Sequence, residues 1–200
     1  MTEPLAFYFD YRSPYSYLAS TQLTDLAAAH GRTIRYVPFD VLALMKIVGN
    51  RPTTVECEAK GRYARNDLAR WAQRYGVGFA RNPGLRRFDF GQLGCVTLAA
   101  IAQGTGEACV LALFTAAWNG DDDLSDRATL AGVLDRAGLD GAALLQQAET
   151  EGERFAACTQ EAAARGVFGA PTVFVGDDMF FGNDRLDFVR EALAAAPQAM

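Results

Sequence analysis

Apolar positions recur along this chain with two different periods, and the points where the period changes mark its organisation. Residues 5–11 read Leu-Ala-Phe-Tyr-Phe-Asp-Tyr, an aromatic-rich run closed by polar Arg12-Ser13. It predicts a buried, central β-strand. Ser13 precedes Pro14; Ser is a good helix N-cap and Pro suits the first helical position. Tyr17, Leu18, Leu23, Leu26 and Ala27 follow at helical spacing until His30-Gly31 stops the helix. Residues 33–39, rich in β-branched and aromatic side chains, predict a second strand. Strand, helix and parallel strand make a right-handed βαβ unit.

From about residue 41 to residue 165 the pattern is helical, with almost no strand signal. Helices are predicted over 56–75, 93–104, 107–119, 127–138 and 141–166, with Gly or Asp breaks between them. Short strands return at 171–175 and 179–181, joined by the hairpin-type turn Gly176-Asp177-Asp178. Leu186, Phe188, Val189 and Leu193 are periodic over a closing helix at 184–196. Strands from the two chain ends can share one sheet. The order βαβ, helical block, ββα is the α/β thioredoxin-like plan with an inserted all-helical domain. Residues 1–40 and 166–200 would form the thioredoxin-like domain, and 41–165 the insertion.

Composition adds limits. The chain has 200 residues, half of them hydrophobic and 22% charged, which is ample for a core and unlike a disordered chain. The apolar run around Val110 and Phe114 is far shorter than the roughly 18 residues that span a bilayer. The start, Met1-Thr2-Glu3-Pro4, has no basic signal-peptide region. A net charge of −5 argues against nucleic acid as a partner. Cys57, Cys95, Cys109 and Cys158 include no close pair, which sets structural zinc aside. As unpaired, buried-looking thiols they suggest a reducing cytoplasm. Asp121-Asp122-Asp123 reads as a solvated loop rather than a cation site.

The chemistry should sit where the first strand meets the first helix. Thioredoxin-like redox proteins carry Cys-x-x-Cys there; this chain has Ser13-Pro14-Tyr15-Ser16, which removes dithiol exchange. The second landmark is Gly169-Ala170-Pro171-Thr172, where a cis peptide bond before Pro171 is expected to expose the Ala170 backbone to an extended peptide. Ser13 at a helix N-terminus would stabilise a thiolate. Together these residues describe a seat for a small thiol peptide, and glutathione is the obvious one.

Residues 7–19, Phe-Tyr-Phe-Asp-Tyr-Arg-Ser-Pro-Tyr-Ser-Tyr-Leu-Ala, resemble the opening of the 2-hydroxychromene-2-carboxylate isomerases. Residues 167–172 and 180–186 resemble their close, and 67–72 and the Ala117-Trp118 region are similar too. That family is related to the kappa-class glutathione transferases. The resemblance implies a cytoplasmic, homodimeric, glutathione-dependent cis–trans isomerase acting in the degradation of naphthalene-type aromatics. It implies Ser13 as the catalytic serine and Ala170 and Pro171 as partners of the cysteinyl backbone. Gly182, Asn183 and Asp184 would hold the γ-glutamyl end. Lys46 and Asn50 match positions that contact substrate or glutathione in the wider family.

The loop at 79–87 departs from the family pattern, and its Arg81, Arg86 and Arg87 read first as a solvated cluster, with Arg86 or Arg87 as candidates to grip an acidic substrate. His30 is given no catalytic role. Two rivals stay open: a kappa-like transferase that keeps the thiol adduct, and a cysteine-free thioredoxin-fold binding module without chemistry.

Overall fold

A computed structural model describes residues 3–195. Strand β1 (Leu5–Phe9) leads to helix α1 (Pro14–Ala29) and strand β2 (Ile34–Pro38). Helices α2 (Val41–Ile47), α3 (Thr53–Glu56), α4 (Glu58–Tyr75), α5 (Phe90–Ala102), α6 (Gly106–Asn119), α7 (Arg127–Arg136), α8 (Gly141–Ala148) and α9 (Gly152–Ala164) follow. Strands β3 (Thr172–Val175) and β4 (Asp178–Phe181) and helix α10 (Leu186–Ala195) close the fold.

The four strands form one sheet in the order β2-β1-β3-β4. β1 pairs in parallel with β2, Phe7 opposite Tyr36, and antiparallel with β3, Phe7 opposite Val173. β1 is therefore central, as its aromatic run predicts, and all five of its residues are buried. Its alternation divides the core. Leu5, Phe7 and Phe9 face the larger cluster, while Ala6 and Tyr8 face a smaller one with Val37, Phe39, Leu44, Ala162 and Phe174.

The larger cluster does not stop at the sheet. It runs from Phe7 and Phe9 through Phe114 and Leu113 of α6 to Leu130 of α7 and Leu144 of α8. Each such buried side chain contributes about 1.5–3 kcal/mol of apolar burial. Polar ties cross the same boundary. Trp118 Nε1 donates to the Tyr11 carbonyl at 2.9 Å, and the Tyr11 hydroxyl shares a hydrogen bond with Thr97 Oγ1 at 2.6 Å.

Helix starts follow their caps: Ser13, Asp40, Asp89, Asp126 and Asp140 each accept a backbone N–H of the helix they open. Several boundaries differ from the sequence pattern. The single helix expected at 141–166 is two, because residues 149–151 make a turn between α8 and α9. Apolar spacing runs through that turn, and no proline marks it. The helix expected from Leu93 begins at Phe90, under its Asp89 cap. Lys46 lies in the last turn of α2, and Asn50 follows that helix. The closing helix is preceded by a 3-10 turn at Asn183–Arg185, and the expected end at Ala196 lies outside the described residues.

Candidate active site

Ser13 sits where the cap pattern places it, at the N-terminus of α1. Its Oγ accepts the Ser16 N–H at 3.1 Å and donates to the Ala170 carbonyl at 3.1 Å. Pro14 brings no N–H, and the Tyr15 N–H makes no hydrogen bond among the described residues, so the helix end keeps its partial positive charge open. The loop before Ser13 is held from beneath by Asp10. Its carboxylate is 3% exposed as a residue and accepts the Arg12 N–H, the Arg12 guanidinium and the Val41 N–H at 2.8–2.9 Å. Burial pushes the Asp10 carboxyl upward, and the Arg12 guanidinium pulls it back.

Opposite Ser13, the Ala170-Pro171 peptide bond is cis, as expected. Pro171 enters β3, and its carbonyl accepts the Gly182 N–H at 2.9 Å. Residues 169–172 and 182–184 therefore form one continuous ledge. Gly182 has φ +100°, and a Cβ there would lie 2.5 Å from Asp184 Oδ1, so both backbone angle and space demand glycine. Asn183 is 2% exposed, and its Nδ2 has no hydrogen-bond partner among the described residues. The Tyr75 hydroxyl donates to its carbonyl at 2.8 Å. Asp184 is exposed, with its carboxylate paired to the neighbouring Arg185 guanidinium. Asn183 and Asp184 also line a cleft of about 370 Å³ shared with Gln22, Trp71, Arg74 and Tyr75.

A second cleft, of about 410 Å³, opens beside the first turn of α1, between Tyr15 and the α3–α4 segment. Thr54, Ala59, Lys60, Tyr63 and Ala64 line it. The Tyr15 and Tyr63 hydroxyls both donate to Asp67, at 3.0 and 3.4 Å. The sequence pattern does not single out Lys60 or Tyr63. Their signal was available only as one face of α4, and it needed the knowledge that α4 packs beside α1.

The structure sorts the remaining candidates. Asn50 is brought to the site: its Nδ2 donates to the Phe168 carbonyl at 2.7 Å, two residues before Ala170. Lys46 is exposed and lines neither cleft. Arg87 pairs with Asp123 at 2.7 Å and Arg136 pairs with Asp122, which ties the acidic loop down. Arg81 and Arg86 are exposed, and no arginine of the 79–87 loop lines either cleft. In that loop Asn82 is structural, donating to the Ala116 and Asp122 carbonyls at 2.8 Å. Among the described residues no group of three or more His, Cys, Asp or Glu is placed to hold a metal ion. No helix among them is long and apolar enough to cross a membrane. The four cysteines are free, but Cys57 is exposed rather than buried, since α4 begins just after it at the surface. Cys109 is buried, and desolvation pushes its thiol up to about 12.

Comparison with known proteins gives this geometry a lineage. The family model of the DSBA-like thioredoxin domain matches residues 4–194. A 2-hydroxychromene-2-carboxylate isomerase of Sphingobium xenophagum is 39% identical over 197 residues, covering 96% of this chain and 99% of that protein. A solved structure of a 2-hydroxychromene-2-carboxylate isomerase superposes with a TM-score of 0.84 at 32% identity, covering 96% of this chain and 95% of that one. Glutathione S-transferase kappa 1 of Caenorhabditis elegans is 26% identical, covering 94% of this chain and 89% of that protein. The chain thus belongs to the DSBA-like thioredoxin domains and, within them, to the 2-hydroxychromene-2-carboxylate isomerase family.

Proposed function

We propose that the protein is a glutathione-dependent cis–trans isomerase of an aromatic-derived 2-oxo acid, of the 2-hydroxychromene-2-carboxylate to trans-o-hydroxybenzylidenepyruvate type. The observation that carries the reading is the hydrogen bond of Ser13 Oγ, at the α1 N-terminus, to Ala170 O across the site. The residues present fit glutathione. Asn183 keeps an orphaned buried donor at the ledge, and Gly182 leaves the ledge without a side chain. Bound glutathione would supply a thiolate that adds reversibly to the conjugated double bond, so that the bond turns as a single bond before the thiol leaves unchanged.

The chain's own groups supply the rest. The Ser13 hydroxyl is a rotor. Turned from the Ala170 carbonyl, it donates to a sulfur seated over the helix end and frees that carbonyl for a backbone N–H. The α1 N-terminus favours the negative charge there. The Ala170 N–H and carbonyl pair with the cysteinyl backbone, Pro171 holds them in place, and Gly182, Asn183 and Asp184 take the γ-glutamyl end. Asn50 steadies the 168–171 arm. Lys60 offers a cation to a carboxylate in the tyrosine-lined cleft. The homodimer and the cytoplasmic setting belong to the same reading; four thiols without a disulfide suit a reducing compartment.

A kappa-like transferase is the second reading, supported by the kappa relative. Calorimetric titration with reduced glutathione tests both. The expected result is saturable binding that Asp184→Ala weakens about tenfold, or ~1.4 kcal/mol. With substrate present, isomerisation leaves free glutathione constant, whereas transfer consumes it. No binding at millimolar glutathione, with the protein folded, would leave the binding module.

A further inference from the structure

Asp10 lies outside both clefts and cannot touch a ligand in either. Yet it is a buried carboxylate one turn of chain from Ser13. A buried carboxylate is costly unless its oxygens are satisfied, and these are satisfied by groups from two different segments. One oxygen accepts the Arg12 N–H and the other accepts both the Arg12 guanidinium and the Val41 N–H. Its own carbonyl accepts the Ser13 N–H at 2.9 Å. Arg12 is in turn 3.6 Å from Asp40, the N-cap of α2, and its guanidinium rests 4.7 Å from the Phe90 ring at the start of α5.

We propose that Asp10 is a positioning residue that sets Ser13 and helix α2 in one fixed relation. The carboxylate is hydrogen-bonded to both segments: it fastens the serine loop through Arg12 and the first residue of α2 through Val41. Through α2 it fixes where Asn50 meets Phe168. The catalytic consequence rests on the proposed glutathione chemistry. A displacement of about 1 Å at a reacting group can cost ~10²-fold in rate.

Three variants test this. Asp10→Asn keeps the shape but loses the charge and one acceptor. Val41→Pro removes the α2 N–H and puts a ring carbon where its hydrogen pointed at Asp10 Oδ2, so the carboxylate must part from α2. Pro is tolerated at the first helical position, and the extended backbone of Asp40, φ −85° and ψ 104°, suits the residue before a proline. Leu130→Ala, in the core on α7 and lining neither cleft, is the control for lost stability. In Asp10→Asn, the Arg12 and Val41 amides should exchange with solvent at least ~10-fold faster than in Leu130→Ala at matched stability. Its kcat should fall by ~10-fold or more, and ultraviolet thiolate absorbance should show a higher pKa for bound glutathione. Val41→Pro should raise KM while leaving that pKa unmoved. Amides in Asp10→Asn that exchange as in the control overturn the proposal, and so does wild-type kcat with a wild-type thiol pKa. If Asp10→Asn does not fold, a wild-type KM in Val41→Pro overturns it. Absence of glutathione binding in the wild type sinks the proposed function instead, and the amide rates still decide the role of Asp10.

Discussion

On one side of the site, Ser13, Ala170, Pro171 and Gly182 are tied to one another, and Asp10 ties Ser13 to α2, all by hydrogen bonds of 2.8–3.1 Å. On the other side, Tyr15, Lys60 and Tyr63 line an open cleft in which Lys60 is exposed and Tyr63 is 63% exposed. The first wall is made of backbone groups and short side chains whose positions the sheet and the α1 cap dictate. The second is made of long side chains, Tyr15 from α1 facing Lys60 and Tyr63 from α4. A wall of backbone suits a ligand that never changes, whereas a wall of side chains suits one that can differ between relatives.

The sharpest way to break this comparison is Ser13→Ala. Loss of a hydroxyl aimed at developing charge should lower kcat by ~10²-fold or more. Loss of the cap should cost only ~1 kcal/mol of stability. Turnover and melting temperature, measured together, separate the two, and a kcat within threefold of wild type would remove Ser13 from the chemistry. Gly182→Ala comes next. A side chain at φ +100° is strained by ~1–3 kcal/mol and displaces Asp184, so glutathione affinity should fall along with stability. Unchanged calorimetric affinity would show that the ledge is not the glutathione seat. Lys60→Ala probes the open wall. It should raise KM for the acid about tenfold, worth ~1.4 kcal/mol, with kcat little changed. A fall in kcat at constant KM would contradict the division.

The smallest expected effect concerns alkaline stability, because the tied wall rests on a buried hydroxyl. Burial holds the Tyr11 phenol well above its ordinary value of 10.0, and Cys109 rises from 9.0 to about 12. Between pH 9 and 12 the unfolded chain releases protons that the folded chain keeps. Stability therefore falls as pH rises through that window. The melting temperature should decline from pH 9 upward, and Cys109→Ala should delay the onset. A flat profile to pH 11 would contradict the burial of both groups.

Much of the first wall was legible in the sequence because its signals are local. Ser13-Pro14 announces a cap, β1 announces itself by a run of aromatics, and Gly169-Ala170-Pro171-Thr172 is a contiguous motif. The second wall was not legible, because Lys60 and Tyr63 become a site only when α4 lies against Tyr15. Asp10 was hidden for a related reason. It reads as the end of a strand, and its partners at Val41 and Arg12 are set by how β2 hands over to α2. The α8–α9 break escaped because residues 149–151 interrupt the backbone without interrupting the apolar period. The arginines of the 79–87 loop read first as a solvated cluster, and they are exposed, with Arg87 paired to Asp123.

The bond from Trp118 to the Tyr11 carbonyl has a consequence for engineering. An insertion that merely sat on the sheet could be exchanged between relatives like an accessory. This one supplies an indole and a threonine hydroxyl to the residue two places before the serine. A transplanted helical block that lacks them leaves an unanswered carbonyl and phenol beneath the reacting groups. The helices and the strands of this protein must therefore be redesigned as a single unit.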